Sequence, residues 1–120
     1  MKKDFDLIRE LLLNIEEKST LDNAYFPNKI EGYSEVEINY HIKMLANGGF
    51  LDLTNQSPYS DGTYRIDSIT LEGHEFLDNI KNSTVWEKTK KTAWDKTGTL
   101  TFEIIKTIST SMLKSMINDK

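Results

Sequence analysis

Ser34, Glu35, Asn39 and Lys43, with Tyr40 beside them, are polar residues of the stretch SEVEINYHIKMLANGGFLDL, which reads as a recognition helix followed by a strand. An asparagine amide can pair with adenine and a carboxylate can accept from cytosine, so base readout is chemically open to Asn39 and Glu35. Phosphate contacts need cations. Only Lys29 before the helix, Lys43 within it and Arg65 on a later strand are near enough in sequence, few for binding by charge neutralisation. The competing expectation is that these are solvated positions on a helix whose other face serves the core.

Two histidines could do other chemistry. His41 stands one turn from Ile38 and Leu45, so its ring is expected at the core edge, bonded to nearby backbone. His74 lies in GHE between Glu72 and Glu75, where a carboxylate could orient an imidazole as a general base. Helix neighbours do not face each other, however, and no nucleophile accompanies the pair, so packing is the expected role. The chain has no cysteine, which removes disulfides and thiolates and leaves a zinc site only histidine and carboxylate ligands. No metal, no cofactor and no catalytic residue is expected, and so no enzyme. The run EKTKKTAWDK, with Lys88, Lys90, Lys91 and Lys96, is the most basic segment and a second place for phosphate. Trp86 and Trp94 could stack on bases or on a partner, although tryptophans in amphipathic helices usually fill a core.

The elements that must position these residues follow from periodicity. Phe5, Ile8, Leu11, Leu12 and Ile15 recur at helical spacing and predict a helix over 4–17, with Asp4 and Asp6 at its positive end. Pro27, Gly32 and several Asn and Asp residues predict a loop over 19–33, with a short extended piece around Tyr25 or Ile30. A standard helix-turn-helix has its second helix there. Ser34 with Glu37 can form a capping box for a helix over 34–47, and Gly48 and Gly49 can end it. Phe50, Leu51 and Leu53 then open a strand, and 63–69 returns with Tyr64 and Ile66 alternating, giving a hairpin with a long tip. Thr70 caps a short helix bearing Phe76, Leu77 and Ile80, and Thr84 with Glu87 predicts a capping box for the next, which Gly98 closes. Ile104, Ile105, Ile108, Met112, Leu113, Met116 and Ile117 make the last helix apolar over a face wider than a surface helix needs.

With 120 residues, 38% hydrophobic and 28% charged, the chain has an ordinary globular composition. Its net charge of −4 is uneven, with 6 Lys/Arg against 10 Asp/Glu in residues 1–60 and 9 of each in 61–120. Attraction of the whole protein to nucleic acid is therefore absent. No stretch reaches the roughly 20 apolar residues of a membrane span, and acids interrupt the basic start, so a soluble, cytoplasmic protein without membrane partners is expected.

The pieces DFDLIRELLLNIEE, EGYSEVEINYHIKMLANGGFLD, ITLEGHEFLDNIKNSTVWEKTK and LTFEIIK resemble, in that order and over nearly the whole chain, the YjcQ family of short bacterial and prophage-encoded proteins of unknown function. More distantly, YHIKMLANGGFL with the following hairpin is similar to winged-helix transcriptional regulators, whose recognition helix enters the major groove. The resemblance implies a winged-helix fold, a prophage context and no assigned activity.

The expectation is an α+β, mainly α, winged-helix protein: a domain over 1–82 with a hairpin wing, and a helical extension over 83–120. Its expected function is DNA binding or a transcription-associated role on double-stranded DNA, through Lys29, Ser34, Glu35, Asn39, Tyr40, Lys43 and Arg65. A homodimer through Ile104, Ile105, Ile108, Met112 and Met116 would present two such heads. The alternative is a protein-interaction module whose acidic helix is unfit for DNA and whose partner is a host or phage protein.

Overall fold

The computed structural model describes residues 1–19, 27 and 29–118. Among these, five helices and one antiparallel hairpin follow in the order α1 (Phe5–Lys18), α2 (Glu35–Asn47), β1 (Leu51–Leu53), β2 (Ile66–Ile69), α3 (Leu71–Ile80), α4 (Ser83–Thr97) and α5 (Phe102–Asn118). The architecture is α+β and mainly helical. The chain divides into two compact units, residues 1–74 and 75–120. The division falls within α3, whereas the sequence pattern places it after Asn82. The extended piece expected around Tyr25 lies outside the described residues. Ile30 opens a turn in which the Tyr33 amide donates to the Ile30 carbonyl at 3.1 Å.

In the first unit, α1 begins where the Asp4 carboxylate accepts from the amides of Asp6 and Leu7, satisfying donors that a helix start leaves open. Its apolar stripe, Phe5, Leu7, Ile8, Leu11, Leu12 and Ile15, is buried. Ser34 and Glu37 form the expected capping box, each side chain accepting from the other residue's amide, at 3.1 and 3.0 Å. Ile38, His41, Ile42 and Leu45 turn inward from α2, and Gly49, at φ +88°, takes the left-handed turn that releases the chain into β1. α1 packs on α2 and β2, and α2 on β1.

Residue spacing in β2 conflicts with simple alternation, because Ile66 and Ile69 are both buried while Asp67 and Ser68 are both exposed. The pairing resolves it: Leu51 faces Ile69, Asp52 faces Ser68 and Leu53 faces Ile66, so Asp67 is an extra residue. This bulge returns both isoleucines to one face.

At the end of the hairpin, the Phe50 carbonyl accepts from the Thr70 amide at 3.0 Å. The Thr70 hydroxyl donates to the Gly49 carbonyl at 2.6 Å and accepts from the Gly73 amide at 3.0 Å. Thr70 is thus the expected cap of α3 and also ties the start of that helix to Gly49 and Phe50. Gly73 is buried against Phe50 and Ile69 with no room for a side chain.

In the second unit, α4 and α5 pack on each other. The cap of α4 is Asn82, whose side-chain oxygen accepts from the Val85 amide at 3.0 Å, and not Thr84. The Thr84–Glu87 spacing imitates a capping box, but Asn82 starts the helix earlier and leaves Thr84 in its first turn. Gly98, at φ +70°, closes α4. Trp86, Thr89, Ala93, Ile105 and Ser109 are buried, with the Thr89 hydroxyl directed to Met112 Sδ at 3.5 Å. Phe76 and Phe102 lie 4.7 Å apart.

Candidate functional site

The outward side of α2 carries most of the residues singled out from sequence. Ser34 and Glu35 are exposed, Asn39 is half-buried and Tyr40 is 43% exposed. The Ser34 hydroxyl is committed to the capping box. The Asn39 side-chain oxygen is buried and has no hydrogen-bond partner among the described residues. Lys43 is half-buried: its ammonium donates to the Gln56 carbonyl at 2.6 Å and lies 5.7 Å from the centre of the Tyr64 ring. It fastens the hairpin loop to α2, so its charge is already engaged. Lys29 and Arg65 are exposed. The long tip holds its own shape, with the Asp61 carboxylate accepting from the Thr63 hydroxyl and amide at 2.6 and 3.0 Å. Those bonds hold the Asp61 carboxyl below its ordinary range, the hydroxyl contributing most.

His41 is 1% exposed, and both ring nitrogens meet backbone, as its spacing implies. Nε2 faces the Asp4 amide at 2.9 Å and Nδ1 faces the Glu37 carbonyl at 2.8 Å. An amide can only donate and a carbonyl only accept, so the ring is the neutral tautomer with its hydrogen on Nδ1. The long reach to Asp4, the cap of α1, could not be read from local spacing. The half-buried Tyr33 hydroxyl also bonds the Asp4 carboxylate. Burial first, then the charge and hydrogen bond of Asp4 and the charges of Asp6 and Glu37, push the phenol up to about 12. The starts of α1 and α2 thus form one acidic corner.

His74 turns out to face α1, with Nδ1 3.8 Å from Glu16 Oε2, too long for a hydrogen bond. They border an open cavity of about 210 Å³ lined also by Ile15, Ser19, Asp67, Ser68 and Ile69. No group of three or more His, Asp or Glu among the described residues could hold a metal ion.

On α4, Lys90 pairs with Glu87 at 3.2 Å and Lys91 with Asp95 at 3.0 Å, while Lys88 and Lys96 form no ion pair among the described residues. Trp86 is 2% exposed and Trp94 62%. On α5, Ile105 is fully buried within the chain, Ile104, Ile108 and Met112 are half-buried, and Met116 is 56% exposed. No helix among the described residues is long and apolar enough to cross a membrane.

Comparison with known proteins yields relatives without an assigned activity. A chain from Haemophilus influenzae (strain ATCC 51907 / DSM 11121 / KW20 / Rd), described as an uncharacterized protein, is 31% identical over 117 residues, covering 98% of this chain and 99% of the relative. No solved structure matches. The expectation of an uncharacterised family holds, while the finer identification with the YjcQ family and a prophage context is not carried by these matches. Residues 2–99 match a family known by the description "Hypothetical protein (DUF2513)", and with a relative of this coverage the chain belongs to that family.

Proposed function

We propose that residues 1–74 form a winged-helix scaffold that works without catalysis as a protein-interaction module, docking a cationic protein surface on the exposed start of α2. The observation that carries this reading is the charge of that face. Glu31 and Glu35 are exposed beside the half-buried Glu37, and the cation within the helix, Lys43, is bound to the hairpin loop. Residues 27–74 hold 3 Lys/Arg against 7 Asp/Glu. A carboxylate ~7 Å from a phosphate in water is opposed by about 0.6 kcal/mol, so several acids outweigh the few cations available. The same carboxylates, with the exposed Val36 and Tyr40 between and beside them, suit a partner that offers Lys or Arg around an apolar contact.

The second reading is a DNA-binding or transcription-associated factor. It is favoured by the exposure of Lys29 and Arg65 and by the helix, hairpin and helix order around α2. One pair of titrations separates them. Labelled duplex DNA at low salt should show no rise in anisotropy, whereas a Lys/Arg-rich amphipathic peptide should bind, more weakly as salt rises and more weakly to Glu35→Lys. Duplex binding that Arg65→Ala or Lys29→Ala weakens would overturn the interaction module in favour of a DNA reader.

A further inference from the structure

The two tryptophans of α4 differ in a way that burial does not require. Trp86 fills the core at 2% exposure, but Trp94 stands 62% exposed, although tryptophan is among the residues most covered on average. Helical spacing places Lys90 and Lys91 one turn before it, on the same side. The helix carries Lys88, Lys90, Lys91 and Lys96 against Glu87 and Asp95. Lys91 and Asp95 are themselves 78% and 59% exposed, so their pairing is a surface ion pair that a stronger anion can displace. Lys88 and Lys96 are exposed and form no ion pair among the described residues.

We infer that α4 binds single-stranded nucleic acid, with one unpaired base stacked on Trp94 and the flanking phosphates on the lysines distributed round the helix. The surroundings of the indole distinguish this occupant from others. Lys91 and Thr97, one turn either side of Trp94, and the adjacent Asp95 are exposed and polar, so the ring is not the centre of an apolar patch such as a protein hot spot or a membrane surface would use. An exposed aromatic on a helix whose four lysines outnumber its two acids matches the stacking platforms that hold a strand without reading its sequence. In a duplex each base face is covered by its neighbours, so only an unpaired base reaches the ring. The surface belongs to residues 75–120 and is independent of the α2 face.

The test uses the full chain at low salt and short oligothymidylate or oligouridylate, which separate DNA from RNA. In Trp86→Phe the remaining indole is Trp94, and either oligonucleotide should quench its emission, reversibly with added salt. Because Trp86 is buried and its replacement could disturb folding, the unmodified chain is titrated as well, reading protection of the exposed indole from acrylamide. Anisotropy of labelled oligonucleotide should show about tenfold weaker binding for Trp94→Ala, near the low end for one stacked base, with recovery in Trp94→Phe. Lys88→Glu should weaken binding several-fold and flatten its salt dependence. Unchanged affinity in Trp94→Ala, or equal binding of polyphosphate, would reduce the face to general charge and overturn the proposal. So would insertion of Trp94 into anionic vesicles with no response to oligonucleotide.

Discussion

Replacing Gly73 by alanine sets two effects of known sign against each other. In a helix, alanine is favoured over glycine by up to about 1 kcal/mol, so propensity alone predicts a more stable protein. A Cβ at position 73, however, would lie 2.6 Å from Ile69 Cγ2 and 3.2 Å from the Phe50 carbonyl carbon, and would overlap the Phe50 carbonyl oxygen. Carbon pairs prefer about 3.5–4.0 Å, so α3 or β1 must move by roughly 1 Å. The obstacle is backbone, and it cannot rotate away. That same carbonyl accepts from the Thr70 amide, and Thr70 holds Gly49 and Gly73, so the movement strains several hydrogen bonds of about 1 kcal/mol each. Overpacking of this kind destabilises by about 1–3 kcal/mol, so the clash outweighs propensity and a net loss of about 2 kcal/mol is expected. Thermal unfolding followed by far-UV circular dichroism should show a midpoint lower by roughly 8 °C. A variant as stable as the parent, or more stable, would show that Gly73 is not needed for close approach.

Other consequences are equally concrete. His41→Leu leaves the Asp4 amide without its acceptor and should lose about 1–2 kcal/mol in urea unfolding, while His41→Gln, whose carbonyl oxygen can stand in for Nε2, should recover part of it; equal stability of all three would remove His41 as a tie between helices. In an absorbance titration one tyrosine should ionise near pH 12, and Asp4→Asn should bring it down. Because the folded phenol holds its proton above the unfolded value of about 10, the stability it contributes is whole below pH 10 and is lost as pH rises toward 12; no late phase, or one that survives in Tyr33→Phe, would reject this assignment. Ile105→Ala should cost about 2–5 kcal/mol, whereas Met116→Lys should change stability by less than about 0.5 kcal/mol. If Met116→Lys instead converts a dimer to a monomer in light scattering, the exposed end of α5 is a subunit contact.

Elements with local signals were legible in the sequence. Ser34 with Glu37, Thr70 and Gly98 act where their types and spacing place them, because a cap needs only residues a few positions away, whereas Asp4, expected inside the helix as a dipole acid, caps it instead. The failures have the same physical origin. Thr84 with Glu87 met the local rule, yet Asn82 supplied a cap first. The bulge at Asp67 is set by pairing with β1, which no period within β2 contains. Gly73 is explained by Phe50, and His41 by Asp4, both contacts across the fold. Within the candidate site, exposure of Glu35 and Tyr40 followed from helical period, but the engagement of Lys43 with Gln56 depends on how the hairpin loop folds back.

That engagement bears on what α2 can be. A recognition helix keeps its polar side chains available to a ligand, whereas here several of the polar groups at the front of α2 stabilise the protein itself. Ser34 and Glu37 close the helix start, His41 holds the cap of α1, and Lys43 holds the hairpin loop. Each is a directional contact, and together they fix α2 against both α1 and the hairpin. Glu35, Val36 and Tyr40 remain exposed and are where the proposed partner would dock. A carboxylate, a small apolar group and a phenol on a fixed helix form a surface whose affinity would come from shape, apolar burial and attraction to cations. Reassigning Lys43 to a phosphate would mean giving up its bond to Gln56 and loosening the hairpin loop. Charge and stability therefore oppose DNA binding at α2 for separate reasons, and adding one lysine to the face would remove only the first.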